Sequence, residues 1–384
     1  MMKKIVIIGA NEFQNPLILR AKELGYETHV FAWECGDEGE KSADYFYPIS
    51  ITEKELILDK CKKIKPDAVT SIGSDLAVST VTYLAKQLNL PGNDEKYSLI
   101  CTNKYEMRKA LNEAGIKVPE FQKVNSLKSI KKLNFPKIVK PTDRSGSRAI
   151  NLVNNEEELK KAIKNAIESS FEKCAIVEDV ISGEREYSCE TISYQGNHII
   201  LAVTKKYTTG FPSCIEIGHI EPSDLSDQEQ KLLSEILPKA LDALHIKNGA
   251  AHTEFIIDDK GEINIVEIGA RMGGDCIGSH LVRLSTGYDY LKMVIEVALG
   301  EKPTLSRMNH YKYAFIKFIF NEADLKKIKT IAKTWPNLIK YKSEIKPFNH
   351  KVTDSSSRFG YYIFATNDIA LKEKIINKVK LYEN

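Results

Sequence analysis

From residue 3 to 91 the apolar positions switch between short continuous runs and spaced stripes. KKIVIIG, ETHVFAW and DAVTSIG read as buried strands. NPLILRAKELG, EKELILDKCKKIK and AVSTVTYLAKQLN read as helices, with apolar residues every third or fourth position. That alternation predicts a parallel-sheet α/β domain over 1–93. Residues 94–118 predict a helical linker with Met107, Ala110, Leu111 and Ala114 as its stripe. Thr102 or Asn103 caps its last part, which places Lys104 in the first turn, off the stripe. Over 119–181 the order is strand FPKIVKP, loop TDRSGSRAI, a helix with Leu159, Ala162, Ile163, Ala166 and Ile167 on one face, and strand CAIVEDVI. From 182 to 300 antiparallel strands dominate. REYSCETISY and IILAVTKKY flank the turn QGNH, and a helix opens on the capping box Ser226–Glu229. Residues 301–384 predict a small lysine-rich α+β lobe. The expected fold class is therefore multidomain, α/β followed by α+β.

The hairpin TEFII-DDKGE-INIVEIG breaks the pattern, because each of its two strands carries an acid among core-type residues. Around a turn centred on Asp259 and Lys260, Glu254 and Glu267 fall close together. Neighbouring carboxylates repel unless a proton or cation lies between them. A hard divalent ion such as Mg²⁺ takes one or two protein carboxylates together with phosphate oxygens. Solvated acids on an exposed sheet face are the plainer alternative.

Composition narrows the class. The chain has 384 residues and a formal net charge of +3, with both signs interspersed. A dedicated nucleic-acid binder would show a concentrated basic face, so no nucleic-acid partner is expected. Cysteines at 35, 61, 101, 174, 189, 214 and 276 form no zinc or redox spacing and are odd in number. That usage fits a reducing cytoplasm. Cys276 lies beside a glycine turn, yet nothing in its pattern separates a nucleophile from a small buried residue. MMKKIVIIGA is too short an apolar run for a signal peptide, and no segment reaches membrane-spanning length, so no membrane partner is expected. Gly9 and Glu34 sit where a dinucleotide site would need them, but GANEFQ is not the GxGxxG fingerprint.

Three further stretches carry chemistry. In KPTDRSGSRAI, Gly146 and small serines let backbone N–H groups approach a phosphate, with Lys140 beside them as a point charge. A surface hairpin fits that loop equally well. In IVEDVISGEREYS, a strand ends at Glu178-Asp179-Val180 and runs on to Glu186. Main-chain groups at such an end can read an adenine, and an acid can accept from ribose hydroxyls. In TKKYTTGFPSCIEIGHIEP, Glu216 and His219 form an E-x-G-H arrangement.

The order of these pieces resembles the ATP-grasp ligase superfamily over about residues 1–300. The nearest groups are the dipeptide-forming L-amino acid ligases and the carbamoyl-phosphate-synthase-like proteins. The resemblance implies an ATP-grasp fold preceded by a Rossmann-like domain, with a lid subdomain at 119–181 and a metal-bearing subdomain at 182–300. It implies ATP and Mg²⁺, with Mn²⁺ as an alternative ion. Lys104 and Lys140 match the two phosphate-contacting lysines, and Ser145, Gly146 and Ser147 match the loop over the phosphates. Glu178 and Val180 match the adenine hinge, and Glu186 the ribose acid. Glu254 and Glu267 match the metal ligands, and Arg271 the catalytic arginine after them. TTG…P…EIGH and EIGARMGGD are similar to the amino-acid ligases. That likeness puts Glu216 near metal or substrate, His219 near substrate, and Gly273-Gly274 against it. A local core or loop histidine remains the alternative for His219.

One departure stands out. Many members read Glu-x-Asn-Pro-Arg where this chain reads EIGAR, so Gly269 replaces the asparagine that completes the metal site, and the number of ions stays open. The resemblance implies a carboxylate–amine ligase acting on small amino-acid-like molecules, in an assembly compatible with a homodimer. A carboxyphosphate-forming or purine-pathway ligase, or a non-catalytic nucleotide-binding regulator, are the alternatives.

Overall fold

The computed structural model describes residues 2–127, 130, 134–146, 148–183, 185–211 and 213–381. Strands β1 (Lys4–Ile8), β2 (Glu27–Ala32), β3 (Tyr45–Pro48) and β4 (Ala68–Thr70) form a parallel sheet in the order β3-β2-β1-β4. β1 and β4 are buried on both faces, as helix-covered parallel strands require.

A second sheet contains β5 (Phe121–Val124), β6 (Lys137–Pro141), β7 (Asn151–Val153) and β8 (Ala175–Asp179), ordered β5-β8-β6-β7 and antiparallel. Helix Glu156–Ser169 covers it with Leu159, Ala162, Ile163 and Ala166. The Asn155 side chain caps that helix by accepting from the Glu158 N–H.

The largest sheet contains β9 (Arg185–Tyr194), β10 (Asn197–Thr208), β11 (Glu216–Glu221), β12 (Gly249–Ile257), β13 (Ile263–Gly269), β14 (Tyr313–Phe318), β15 (Ile339–Lys342) and β16 (Tyr361–Thr366). Its order is β13-β12-β9-β10-β11-β14-β16-β15. The strands of the C-terminal lobe thus continue the sheet of residues 185–269 through the β11–β14 pair. Their own core lies against helices Glu322–Thr334 and Ile369–Val379.

Strand registers sort this sheet into two faces. Tyr187, Cys189, Ala251, Phe255, Ile257, Ile263 and Ile265 share an apolar face. Against it pack Leu233, Leu237 and Leu241 of helix Asp227–Ala243, and Met107 and Leu111 of helix Lys104–Glu113. The opposite face carries Glu186, Ser188, Glu190, Thr204, Lys206, His219, Glu221, His252 and Glu254, because each stands across the ladder from another of the set or two places along.

Helix Tyr290–Ala298 has seven of its nine residues buried. It is apolar nearly all round because it lies between the parallel sheet and β9 and β12. Among the described residues no helix is long and apolar enough to cross a membrane.

The helix that begins at Lys104 is positioned by its apolar stripe, so truncating that stripe tests the frame. Leu111→Ala is expected to lower unfolding stability by about 2–5 kcal/mol, measured from the urea midpoint and slope.

Candidate functional site

The two hairpin acids are placed by a bulge. Strict alternation along INIVEIG would put Glu267 on the same face as Ile263 and Ile265. The register instead slips between Glu254 and Phe255, so that Glu254 faces Glu267 while Phe255 faces Ile265. Val266 is the extra residue, and it turns Glu267 over onto the polar face beside Glu254. Ile268 then returns to the apolar core. A second irregularity, between Tyr207 and Thr208, turns Glu216 toward the same face.

A cavity of about 640 Å³ opens over this face. Its walls include Lys104, Lys140, Ser145, Gly146, Glu178, Val180, Glu186, Glu216, Glu254, Glu267 and Arg271. Residues from five stretches of sequence therefore meet in one place. Ser147 lies outside the described residues. His219, Gly273 and Gly274 do not line the cavity. The His219 ring is fully buried, meets the edge of Phe318 and lies 3.5 Å from Asp275. The Gly273 N–H donates to Glu190 at 2.9 Å. A Cβ at Gly273 would come 2.3 Å from the same carboxylate, so only glycine fits there.

Each cation is held by a carboxylate. Lys104 is the first residue of its helix, behind the Asn103 cap. Its Nζ donates to Glu267 at 2.7 Å and to the Arg144 carbonyl at 2.8 Å. Lys140 pairs with buried Glu178 at 2.6 Å, and Arg108 donates to the same acid at 2.6 Å. Burial alone would push the Glu178 carboxyl up, but Arg108 and Lys140 outweigh it and hold it at about 2. Glu178 is thus a fixed anion that aims a lysine into the cavity. The Arg271 guanidinium makes a two-point contact with Asp75, at 2.8 and 3.0 Å. Asp75 opens a helix just beyond β4, and the Gly73 N–H donates to the Met272 carbonyl at 3.2 Å. The N-terminal domain therefore docks on the glycine turn through its own site residue.

Five participants had escaped the sequence reading: Lys206, His252, Glu190, Asp75 and Arg108. The buried Lys206 ammonium donates to Glu254 and lies 3.2 Å from Glu186 and 3.8 Å from Glu216. Burial would lower it, but those carboxylates hold it well above the ordinary lysine value. Glu254 is held far below the usual carboxylate range, because Lys206 and His252 override its burial. His252 Nδ1 is bonded to fully buried Glu190, and its Nε2 lies 3.4 Å from Glu254. The Asp75 position was the most legible of the five, since parallel sheets place ligands beyond the carboxyl ends of their strands. Lys206 sits in a Lys-Lys pair whose faces only the register separates. Cys276 is buried, and burial pushes its thiol far up, which removes it as a nucleophile.

The carboxylate pair fits a divalent ion. Lys104 and Lys206 both use the Oε1 atoms of their partners, and the Oε2 atoms of Glu267 and Glu254 carry no hydrogen bond among the described residues. Two free carboxylate oxygens on facing strands, ringed by lysines, suit a cation that brings phosphate oxygens with it.

A four-stranded antiparallel sheet with its glycine loop, a large antiparallel sheet with facing acids, and a cavity between them define an ATP-grasp fold, and residues 133–279 match the family model of the ATP-grasp domain. Enzymes with that class of fold use ATP with Mg²⁺. Among similar proteins, the carbamoyl phosphate synthase large chain of Thermotoga neapolitana is 24% identical over 332 residues, covering 78% of this chain and 29% of that one. The alanine–anticapsin ligase of Bacillus amyloliquefaciens is 26% identical over 270 residues, covering 60% of this chain and 56% of the ligase. This chain thus spans less than a third of the synthases it matches and somewhat over half of the ligase. The crystal structure of the L-amino acid ligase from Bacillus licheniformis superposes with a TM-score of 0.83 at 24% identity, over 98% of this chain and 97% of that one. At that identity the likeness establishes the fold.

His252 supplies a pH test. Burial alone would lower its imidazolium, yet Glu190 and Glu254 raise it to about 9. A folded value above the unfolded one means the stabilisation is complete below about pH 6.5 and is lost as pH rises through about 9. Full linkage is worth on the order of 3 kcal/mol. Melting temperature measured from pH 6 to 10 is expected to fall more steeply in the wild type than in His252→Gln.

Proposed function

We propose that this protein is an ATP-dependent carboxylate–amine ligase that joins two amino acids through an acyl phosphate, releasing ADP and phosphate. The observation that carries the reading is one cavity in which Lys104, Lys140 and Arg271 ring the facing acids Glu254 and Glu267. Such a ring suits a polyphosphate and a divalent ion better than it suits an apolar ligand or a single carboxylate.

A free carboxylate does not react with an amine until its oxygen is made a leaving group. Attack of that oxygen on the γ-phosphorus forms the acyl phosphate and breaks the bond to ADP. The amine nitrogen then attacks the acyl carbon and gives up a proton, and phosphate leaves. Bound Mg²⁺ supplies charge neutralisation at the transferring phosphoryl group. Glu254 and Glu267 are the residues that would hold it. Lys104 and Lys140 lie at the cavity wall to meet phosphate oxygens once nucleotide competes for them, and Glu178 holds Lys140 in place. Arg271, now paired with Asp75, is poised to meet the oxygen charge that develops at the acyl centre. Ser145 and Gly146, where Gly146 has φ of 72°, line the cavity on a glycine loop, and closing that loop over bound nucleotide would keep water from the acyl phosphate. Glu186 and the chain at Glu178–Val180 line the end that suits ribose and adenine. The E-x-G-H stretch favours amino acids as substrates, with Glu216 in the cavity wall and His219 behind it.

A carboxyphosphate-forming ligase is the second reading, favoured by the wider match to the carbamoyl phosphate synthases. Phosphate release from Mg·ATP separates the two. Release is expected to require amino acids, singly or in pairs, and to ignore bicarbonate and formate. Glu267→Gln is expected to lower it at least about a hundred-fold. Release driven by bicarbonate or formate would replace the amino-acid reading with the second one.

A further inference from the structure

A lysine occupies a place in this cavity that its surroundings would otherwise offer to a metal ion. The Lys206 side chain is 4% exposed, and its ammonium lies among the carboxylates of Glu254, Glu186 and Glu216. These acids come from β12, β9 and the start of β11, so the ammonium ties three strands of the polar face together. Three carboxylates around one point, each contributing an oxygen, make a strong divalent-cation environment unless a fixed charge already fills it.

Gly269 points the same way independently. A Cβ at that position would come 2.8 Å from Asp75 Oδ1 and 3.1 Å from Arg271 Nε. The space beside Glu267 where a side-chain oxygen could stand is therefore filled by the Arg271–Asp75 pair. A side chain there would have to push aside the ends of that ion pair, which also docks the N-terminal domain. One potential ligand is missing because an arginine needs its room, and the neighbouring acids are already neutralised by a lysine.

We propose that the Lys206 ammonium stands in for a second metal ion, so that the site takes a single divalent cation, between the free oxygens of Glu254 and Glu267. The proposal rests on the ATP-and-metal reading above but not on catalysis, since the number of ions can be counted without turnover. In the ligase reading Lys206 supplies one unit of the positive charge that a second ion would bring. It brings that charge with the fold, at every metal concentration.

The test counts Mn²⁺ bound per chain in the presence of a saturating non-hydrolysable ATP analogue. Free Mn²⁺ is read by electron paramagnetic resonance at low micromolar to millimolar total metal. One Mn²⁺ per wild-type chain is expected, and one in Lys206→Arg, which keeps the charge. Two are expected in Lys206→Met, which empties the three-carboxylate pocket. A count of two, or of none, in the wild type overturns the proposal, and so does an unchanged count of one in a folded Lys206→Met. If Lys206→Met does not fold, as read by its melting curve, the wild-type count decides by itself. Failure of the ligase reading would appear separately, as absent phosphate release by a protein that still binds one ion and nucleotide.

Discussion

Two carboxylates facing each other across a pair of strands are the constraint around which this molecule is arranged. Glu254 and Glu267 are direct cross-strand partners, and like charges so placed oppose folding unless cations come to them. Lys206 comes from the other side of β9, and Lys104 from a helix outside the sheet. Neither can arrive unless its carrier is packed in one position. The apolar face of the same sheet does that packing, because Met107 and Leu111 anchor the helix whose first residue is Lys104. Core and site are thus the two sides of one sheet, and the bulge at Val266 lets a single strand serve both.

From that pair, charge compensation spreads outward in linked steps. His252 lies between Glu254 and buried Glu190, and Glu190 accepts from the backbone of the glycine turn at Gly273. The turn presents Arg271, which takes Asp75 from the N-terminal domain. On the other flank the C-terminal lobe reaches in. Ser355 donates to the Glu216 carboxylate, and Arg358 grips Asp275 through both terminal nitrogens while lying over the Phe318 ring. Burial would push the Asp275 carboxyl up, but Arg358 holds it well below the usual range. Every unit of the fold therefore contributes at least one charged group to the cavity or to a residue behind it. The N-terminal domain and the C-terminal lobe are structural parts of the site rather than attachments to it.

Much of this arrangement was legible in the linear chain. Hydrophobic period separated the parallel sheet from the antiparallel one, and it placed Lys104 off its helix stripe. The paired acids, the glycine loop and the strand end at Glu178 were visible as polar residues where core residues were due. The partners of those residues were not visible. Lys206 and Lys205 are adjacent and alike, and only the ladder with β9 and β11 tells which one faces the acids. Glu178 read as a hinge residue through its main chain, and the role of its side chain as a buried anchor for Lys140 and Arg108 had no local signal. His219 read either as a residue near substrate or as a local core histidine, and only the packing places its ring behind the cavity wall against Phe318.

Local sequence by itself determined the elements, the two-faced character of the large sheet and the residue types able to handle phosphate. Those properties follow from side-chain period and backbone preference within a few neighbouring residues. Tertiary structure decided which charges meet. Lys206 and Glu254 are 48 positions apart, Lys104 and Glu267 are 163 apart, and Asp75 and Arg271 are 196 apart. It also decided that Glu267 faces its partner rather than the core, because a bulge shifts register by one residue and inverts every side chain beyond it. A pairing that depends on register and on the docking of distant elements has no local signature. It exists only once the apolar faces have closed.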